Sequence, residues 1–467
     1  MKSLRHAAFA VAAFGVLSFA TAAPALAASD IDARLEALES ELHALKAQVA
    51  ERDAKIDAME KKTAKIDAIA AKTDAMPKFK PNKLEMESAD GKFAMGIGGR
   101  LQADGYLVDD GNGKVVPMGN GAEFRRARMN VYGKLFGDWR FKFESDFAPA
   151  AYSYNSGSVT ITDAFIEHDL TKDLMIRVGN QYEPFGLNNL ASDNYNQFME
   201  YALPVALWPG RSLGAQLAYT DAKSFGLQAG LFSKGIQSGG LQNGENSTNW
   251  AATGRGYYAP VLTGKTLIHV GASASYRGNE SGTATFNSFP EAHGANYTLS
   301  AKATNAQHEL RYGPEVAALY GPLSLQGEWT MDQISRNVGG DANVTGYYLE
   351  AGWFVTGETR NYNVKTGLFD RPKATNALQL VARYSRLNLD DANLSANAIN
   401  LDTKSTPTTL ADARGKGTDY TLGANYYFNP NVRLMVNYVI AKDDYVPTSG
   451  NPDQTYKILE SRLQLDW

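Results

Sequence analysis

The stretch Trp139-Arg140-Phe141-Lys142-Phe143-Glu144-Ser145-Asp146-Phe147 sets aromatic rings at nearly every odd position and mostly charged side chains between them. Successive strand side chains point to opposite faces. Trp139, Phe141, Phe143 and Phe147 therefore share one face, and Arg140, Lys142, Glu144 and Asp146 share the other. A soluble sandwich could bury the rings and wet the charges. Recurrence of the pattern along the chain, with the rings outward, instead points to a membrane barrel with an apolar lipid face and a wet lumen.

The same alternation recurs after Leu84. About sixteen strands are expected, near 92–107, 123–136, 139–148, 158–170, 173–182, 212–220, 224–234, 249–259, 265–277, 306–320, 322–336, 342–356, 376–389, 417–428, 431–442 and 455–467. Short joints such as Gly137-Asp138, Thr171-Lys172 and Asn429-Pro430 alternate with long polar ones, including 183–211 and 278–305. An even-stranded antiparallel meander with this rhythm is the pattern of an outer-membrane barrel, its short turns on the periplasmic side. One joint, 357–375, is long where a short turn is due. The last strand alternates Leu459, Leu463, Leu465 and Trp467 with Arg462, Gln464 and Asp466, as expected of a strand that closes the barrel on the first.

Composition agrees with this reading. The 467 residues hold 24 tyrosines, 20 phenylalanines, 43 glycines and no cysteine. Beyond the N-terminus no run of ~18 apolar residues offers a transmembrane helix. The absence of cysteine excludes thiolate metal sites, a cysteine nucleophile and disulfides. A formal charge of -4 argues against a general nucleic-acid binder. No cofactor is expected.

Ahead of the strands lie two other segments. Lys2 and Arg5 precede an apolar stretch from Ala7 to Ala20, and Ala25-Leu26-Ala27 suits a signal cleavage site, so 1–27 reads as a secretion signal. Leu35, Leu38, Leu42, Leu45, Val49, Ile56, Met59 and Ile66 then fall on a and d of a heptad, with lapses at Arg52, Thr63 and Thr73. Segment 28–76 is thus expected to be a coiled coil in the periplasm. It would pair with copies of itself, and Pro77 and Pro81 would open a linker over 77–91 before a barrel over 92–467. A coil of ~45 residues would reach ~65 Å, so an alternative role is structural, tethering the outer membrane to the peptidoglycan wall.

Strand phase nominates lumenal charges. Ala127, Met129, Val131, Gly133 and Leu135 form a lipid-facing set, which turns Arg126, Arg128 and Lys134 inward. The same rule places Arg100, Arg140, Lys142 and Arg177 in the lumen. Walls of Arg and Lys favour anions, and Asp or Glu favour cations. A barrel of this size encloses an aqueous channel that something must narrow. Loop 183–211, which carries Glu183, Asn188, Asn189, Ser192, Asp193 and Arg211, is the candidate constriction.

Gly99-Arg100-Leu101-Gln102, Phe124-Arg125-Arg126-Ala127-Arg128, Arg177-Val178-Gly179-Asn180-Gln181-Tyr182-Glu183-Pro184-Phe185 and Arg462-Leu463-Gln464-Leu465-Asp466-Trp467 resemble the phosphate-selective porin O and P family. The resemblance covers most of the chain after Leu84. It implies a sixteen-stranded homotrimeric porin of the Gram-negative outer membrane, with the third long loop narrowing each channel and arginines guiding anions. It adds Arg125 to the candidate anion-attracting residues. Phosphate-specific members place lysines in the constriction loop. Here Leu187-Asn188-Asn189-Leu190-Ala191-Ser192-Asp193-Asn194 has none and includes an aspartate, so the expectation is a porin with mild anion preference.

Gly210-Arg211-Ser212-Leu213-Gly214 fits G-x-S-x-G, but it enters a strand instead of a strand–turn–helix elbow. No enzyme is expected.

Overall fold

The computed structural model describes residues 28–74, 76–80, 84–111, 116, 118–148, 159–233, 248–279, 281–403 and 406–467. The expected signal, 1–27, lies outside the described residues. The chain divides into two compact units, 1–76 and 77–467.

The first unit holds one helix, α1 (Ala28–Asp74). Its heptad residues are open to solvent, Leu38 at 62% and Ile66 at 64% exposure. Among the described residues of this unit nothing buries that seam.

The second unit is a closed antiparallel barrel of sixteen strands. They are β1 (Ala94–Asp109), β2 (Gly121–Leu135), β3 (Trp139–Asp146), β4 (Thr160–Asp169), β5 (Leu174–Tyr182), β6 (Arg211–Thr220), β7 (Phe225–Phe232) and β8 (Thr248–Leu262). The second half comprises β9 (Thr266–Asn279), β10 (Ala306–Tyr320), β11 (Leu323–Arg336), β12 (Ala342–Phe354), β13 (Ala377–Asn388), β14 (Gly415–Asn429), β15 (Val432–Tyr445) and β16 (Gln454–Asp466). Each pairs with its neighbours in sequence, and β16 pairs with β1 from Lys457 opposite Asp109 to Asp466 opposite Arg100. Closure of β16 on β1 removes the sheet edges along the paired length of the wall.

The phase is the one that alternation demands. Trp139, Phe143, Met129, Val178, Leu217 and Leu463 are exposed on the outer face, while Arg100, Arg126, Glu144 and Gln464 are buried on the inner one. The short turns are built from local side chains. Asp221 accepts the N–H groups of Lys223, Ser224 and Phe225 at 2.8 to 2.9 Å. These bonds hold its carboxyl well below the usual carboxylate range.

Two features depart from the sequence reading. Part of the supposed linker 77–91 is a hairpin: Lys78–Lys80 pairs with Leu84–Glu87, which pairs with the lower end of β1, Glu87 opposite Ala94. That stretch of β1 extends below the last β16 pair, so its free edge takes the hairpin instead. The long joint after β12 is present as expected, and the unforeseen feature is what it contains. It carries a small hairpin, Asn361–Asn363 with Leu368–Asp370, held inside the barrel.

The lumen is filled unevenly. Under β10 to β16 an apolar core, including Leu203, Leu207, Phe286, Leu299, Ile334, Leu387 and Ile458, packs loop segments against the wall. The other side is the lower wall. Strands β3 to β7 have 8 to 10 residues, against 15 in β8 and β10.

Candidate functional site

The site begins with one extra residue in β2. Register slips between the pairs Gln102–Arg126 and Ala103–Phe124, which leaves Arg125 unpaired in a bulge. A bulge lets consecutive side chains escape strict alternation. Phe124 stays exposed outside, and both Arg125 and Arg126 reach inward.

What meets them is the loop between β5 and β6. It enters through Glu183, makes the single helical turn α2 (Leu187–Leu190), and returns through a 3-10 turn, Leu203–Leu207. Its acids face the wall arginines. Asp193 pairs with Arg126 at 2.6 Å, with Arg128 at 3.4 Å and with Arg100. Glu200 takes two bonds from Arg125, 2.8 and 3.0 Å, and one from Arg462 at 2.9 Å. Burial raises the Glu200 carboxyl, but Arg125, Arg126 and Arg462 more than offset this and hold it well below its usual range. The loop backbone is tied as well: Arg462 donates to Met199 O at 2.6 Å and Arg433 to Asn196 O at 2.8 Å.

Across the lumen the contacts reverse sign. The Glu328 carboxylate on β11 accepts the backbone N–H groups of Leu187 and Asn188 at 2.8 and 2.7 Å, at the positive end of the helical turn. Asn189 donates to Phe185 O and Pro209 O, and Ser192 accepts from the Asn194 N–H. Glu183 is buried among Ser212, Thr253 and Arg277. The loop therefore bridges the lumen from β1–β2 to β11. From the start of β6, Ser212 donates to Glu183 of the loop at 2.7 Å.

The nominated cations fall into three groups. Arg100, Arg125, Arg126 and Arg128 are at most 9% exposed and occupied by loop or wall carboxylates. Lys134 lies at the rim and pairs with Glu87 of the outer hairpin at 3.3 Å. Arg140, Lys142 and Arg177 are 36%, 28% and 26% exposed. These three line a cavity of about 560 Å³ between β3–β7 and the hairpin 361–370. Arg140 pairs with Glu167 and Asp169, Lys142 with Asp163 at 2.6 Å, and Arg177 with Glu167 at 2.5 Å. Arg211 reaches the same Asp163 at 2.6 Å and lies over the Tyr182 ring.

The hairpin forms the cavity's other side. Its tip is held by Arg255, which donates to Thr366 O at 3.0 Å and Gly367 O at 2.9 Å while pairing with Glu315. Tyr257 donates to Val364 O, and Tyr362 meets His269 at 2.7 Å. Phe369, with Leu368 and Tyr362, packs on Leu187 of the loop. Loop and hairpin thus share an apolar cluster inside the barrel and line the same cavity.

A family model described as phosphate-selective porin O and P matches residues 95–467. This chain belongs to the porin O and P family. Its barrel is accordingly an outer-membrane porin channel. Porin O of Pseudomonas aeruginosa is 26% identical over 428 residues, 82% of this chain and 90% of that one. An uncharacterized protein of Caulobacter vibrioides is 32% identical over 314 residues, 63% of this chain and 61% of the other. Among solved structures, an anion-selective porin from Comamonas acidovorans shares the fold, with TM-score 0.51 and 12% identity over 80% of this chain and all of that one.

Sequence phase passed over several anchors of this porin. Arg255, Arg383 and Arg433 alternate with outward Tyr258, Leu380 and Leu434, so the rule applied to β1–β5 could have found them. Lys365 sits on a hairpin with no periodicity, and the only signal was the joint's length.

Proposed function

We propose that this porin passes small hydrophilic solutes with a mild preference for anions. The observation that carries the reading is the charge of the cavity beside β3–β7: five basic and four acidic side chains line it. Both signs at close quarters screen each other, so the preference is weak. The wall arginines nearer the loop are spent on seating it, and the absence of lysine there weighs against phosphate specificity. The reversal potential of the reconstituted porin in a KCl gradient tests this. A modest anion-selective potential is expected, and replacing both Arg140 and Lys142 with glutamate should move it to the cation side. A cation-selective wild type would overturn the reading.

We further infer a homotrimer embedded in outer-membrane lipid. With 8 to 10 residues, strands β3–β7 lie at or below the ~9–11 tilted residues that a strand needs to cross the bilayer. Contact with neighbouring subunits would relieve lipid mismatch there. The exposed seam of α1 supports a coil among the same subunits, placed in the periplasm. Deleting residues 29–76 should leave single-channel conductance unchanged and lower the temperature at which oligomers dissociate in detergent. Unchanged oligomer stability would remove the coil from assembly and leave the tether as its remaining role.

A further inference from the structure

Porin lumens are polar, yet apolar side chains converge on this cavity from three separate elements. Phe165 on β4 and Met175 on β5 come from the wall, Pro184 and Leu190 from the loop, and Leu368 from the hairpin. Phe165 is out of character at a lumenal position. It lies between Asp163 and Glu167, and Arg177 sits 4.4 Å above its ring. Phe165 keeps regular register opposite Lys142, and the slip between Glu144 and Ser145 skips Thr162 instead, so the strand's own phase turns this ring inward. The result is an apolar strip beside a row of partly exposed cations.

Lys365 decides the sign of this place. It is exposed at the hairpin tip on the cavity's edge and makes no ion pair among the described residues. Without it the basic and acidic side chains around the cavity are equal in number. Every other basic group there has a carboxylate in reach: Arg140, Lys142 and Arg177 as above, and Lys172 beside Asp173 at 3.7 Å.

A hydrated inorganic anion gains nothing from Phe165, Leu190 and Leu368. An anion with a flat apolar body gains from burying it there, at roughly 25 cal/mol per Å² of apolar area removed from water, while its carboxylate meets Lys365 and the Arg177 edge. We propose that this cavity is a binding station for organic monocarboxylates carrying an aromatic or branched apolar body, with Lys365 as the charge that draws them and Phe165 as the surface that retains them. The proposal rests on the reading of the barrel as a channel with anion preference.

The test is current block of the full-length porin in planar bilayers, with benzoate compared with acetate and inorganic phosphate. Benzoate should block at about ten-fold lower concentration than acetate. Phe165→Ser should bring the two close together, Met175→Thr should narrow the gap in the same direction, and Lys365→Gln should weaken block by both. Equal block by benzoate and acetate in a wild type that remains anion-selective in KCl would overturn this station and leave the channel reading standing. Loss of anion selectivity in KCl would instead strike that earlier reading. Benzoate discrimination that survives both Phe165→Ser and Met175→Thr in conducting channels would also overturn the proposal.

Discussion

Asp193→Ala should unseat the constriction loop and open the channel. The carboxylate is shared by Arg100, Arg126 and Arg128, all at most 9% exposed, so its removal leaves three crowded cations with Glu144 and Asp146 as their ion-pair partners among the described residues. Breaking a buried ion pair from one side costs about 3–5 kcal/mol, because the cations left behind remain desolvated. The loop can escape part of that cost by leaving its seat and letting water reach the arginines. Single-channel conductance should therefore rise, and the reversal potential in a KCl gradient should move strongly toward anion selectivity as the arginines become available to permeating ions. Thermal unfolding in detergent should begin earlier. Unchanged conductance and selectivity would mean that Glu200 and Glu328 suffice to hold the loop.

Removal of the internal hairpin is the second large change. Strands β12 and β13 are paired down to Phe354 opposite Gln379, and Val355 donates to Leu378 O at 2.9 Å. An Asn-Gly pair can therefore replace residues 356–377 as a two-residue turn of the kind that suits hairpins. Arg255 keeps Glu315 and His269 keeps the same carboxylate, whereas Asp466 on β16 loses its partner Arg371. The loop loses Phe369 and Leu368 from Leu187. Conductance should rise about two-fold or more as the passage widens, and anion preference should fall because Lys365 goes with the deleted segment. An unchanged conductance would place the narrowest point wholly in the loop between β5 and β6. The two variants differ in a readable way: both widen the channel, but they move its selectivity in opposite directions.

Much of the fold was legible because a barrel wall repeats one rule. Apolar and polar residues alternate, and a phase error in one strand would turn its whole apolar set into the lumen. That is why residues such as Met129, Phe143 and Leu463 could be placed outside from sequence. The site was less legible for three physical reasons. The bulge at Arg125 hides in a run of arginines, where a slip of one residue does not change the polarity of the pattern. Asp193 declares an acid in a loop, but not that three arginines from two strands share it. The hairpin after β12 has neither period nor charge run, and its position follows from distant partners on β8 and β9. Arg100, Arg126 and Arg128 lie on the inner face, but facing inward is different from facing water.

The apolar packing under β10–β16 has a thermodynamic consequence for how this protein responds to solvent. The wall is held by a closed circuit of backbone hydrogen bonds, whereas the loops inside are held partly by burial of Leu207, Phe286, Leu299 and their neighbours. Burial of that kind weakens on cooling and in urea. Moderate urea or low temperature thus acts first on the interior and only later on the wall, and the aperture becomes a soft variable carried inside a rigid frame.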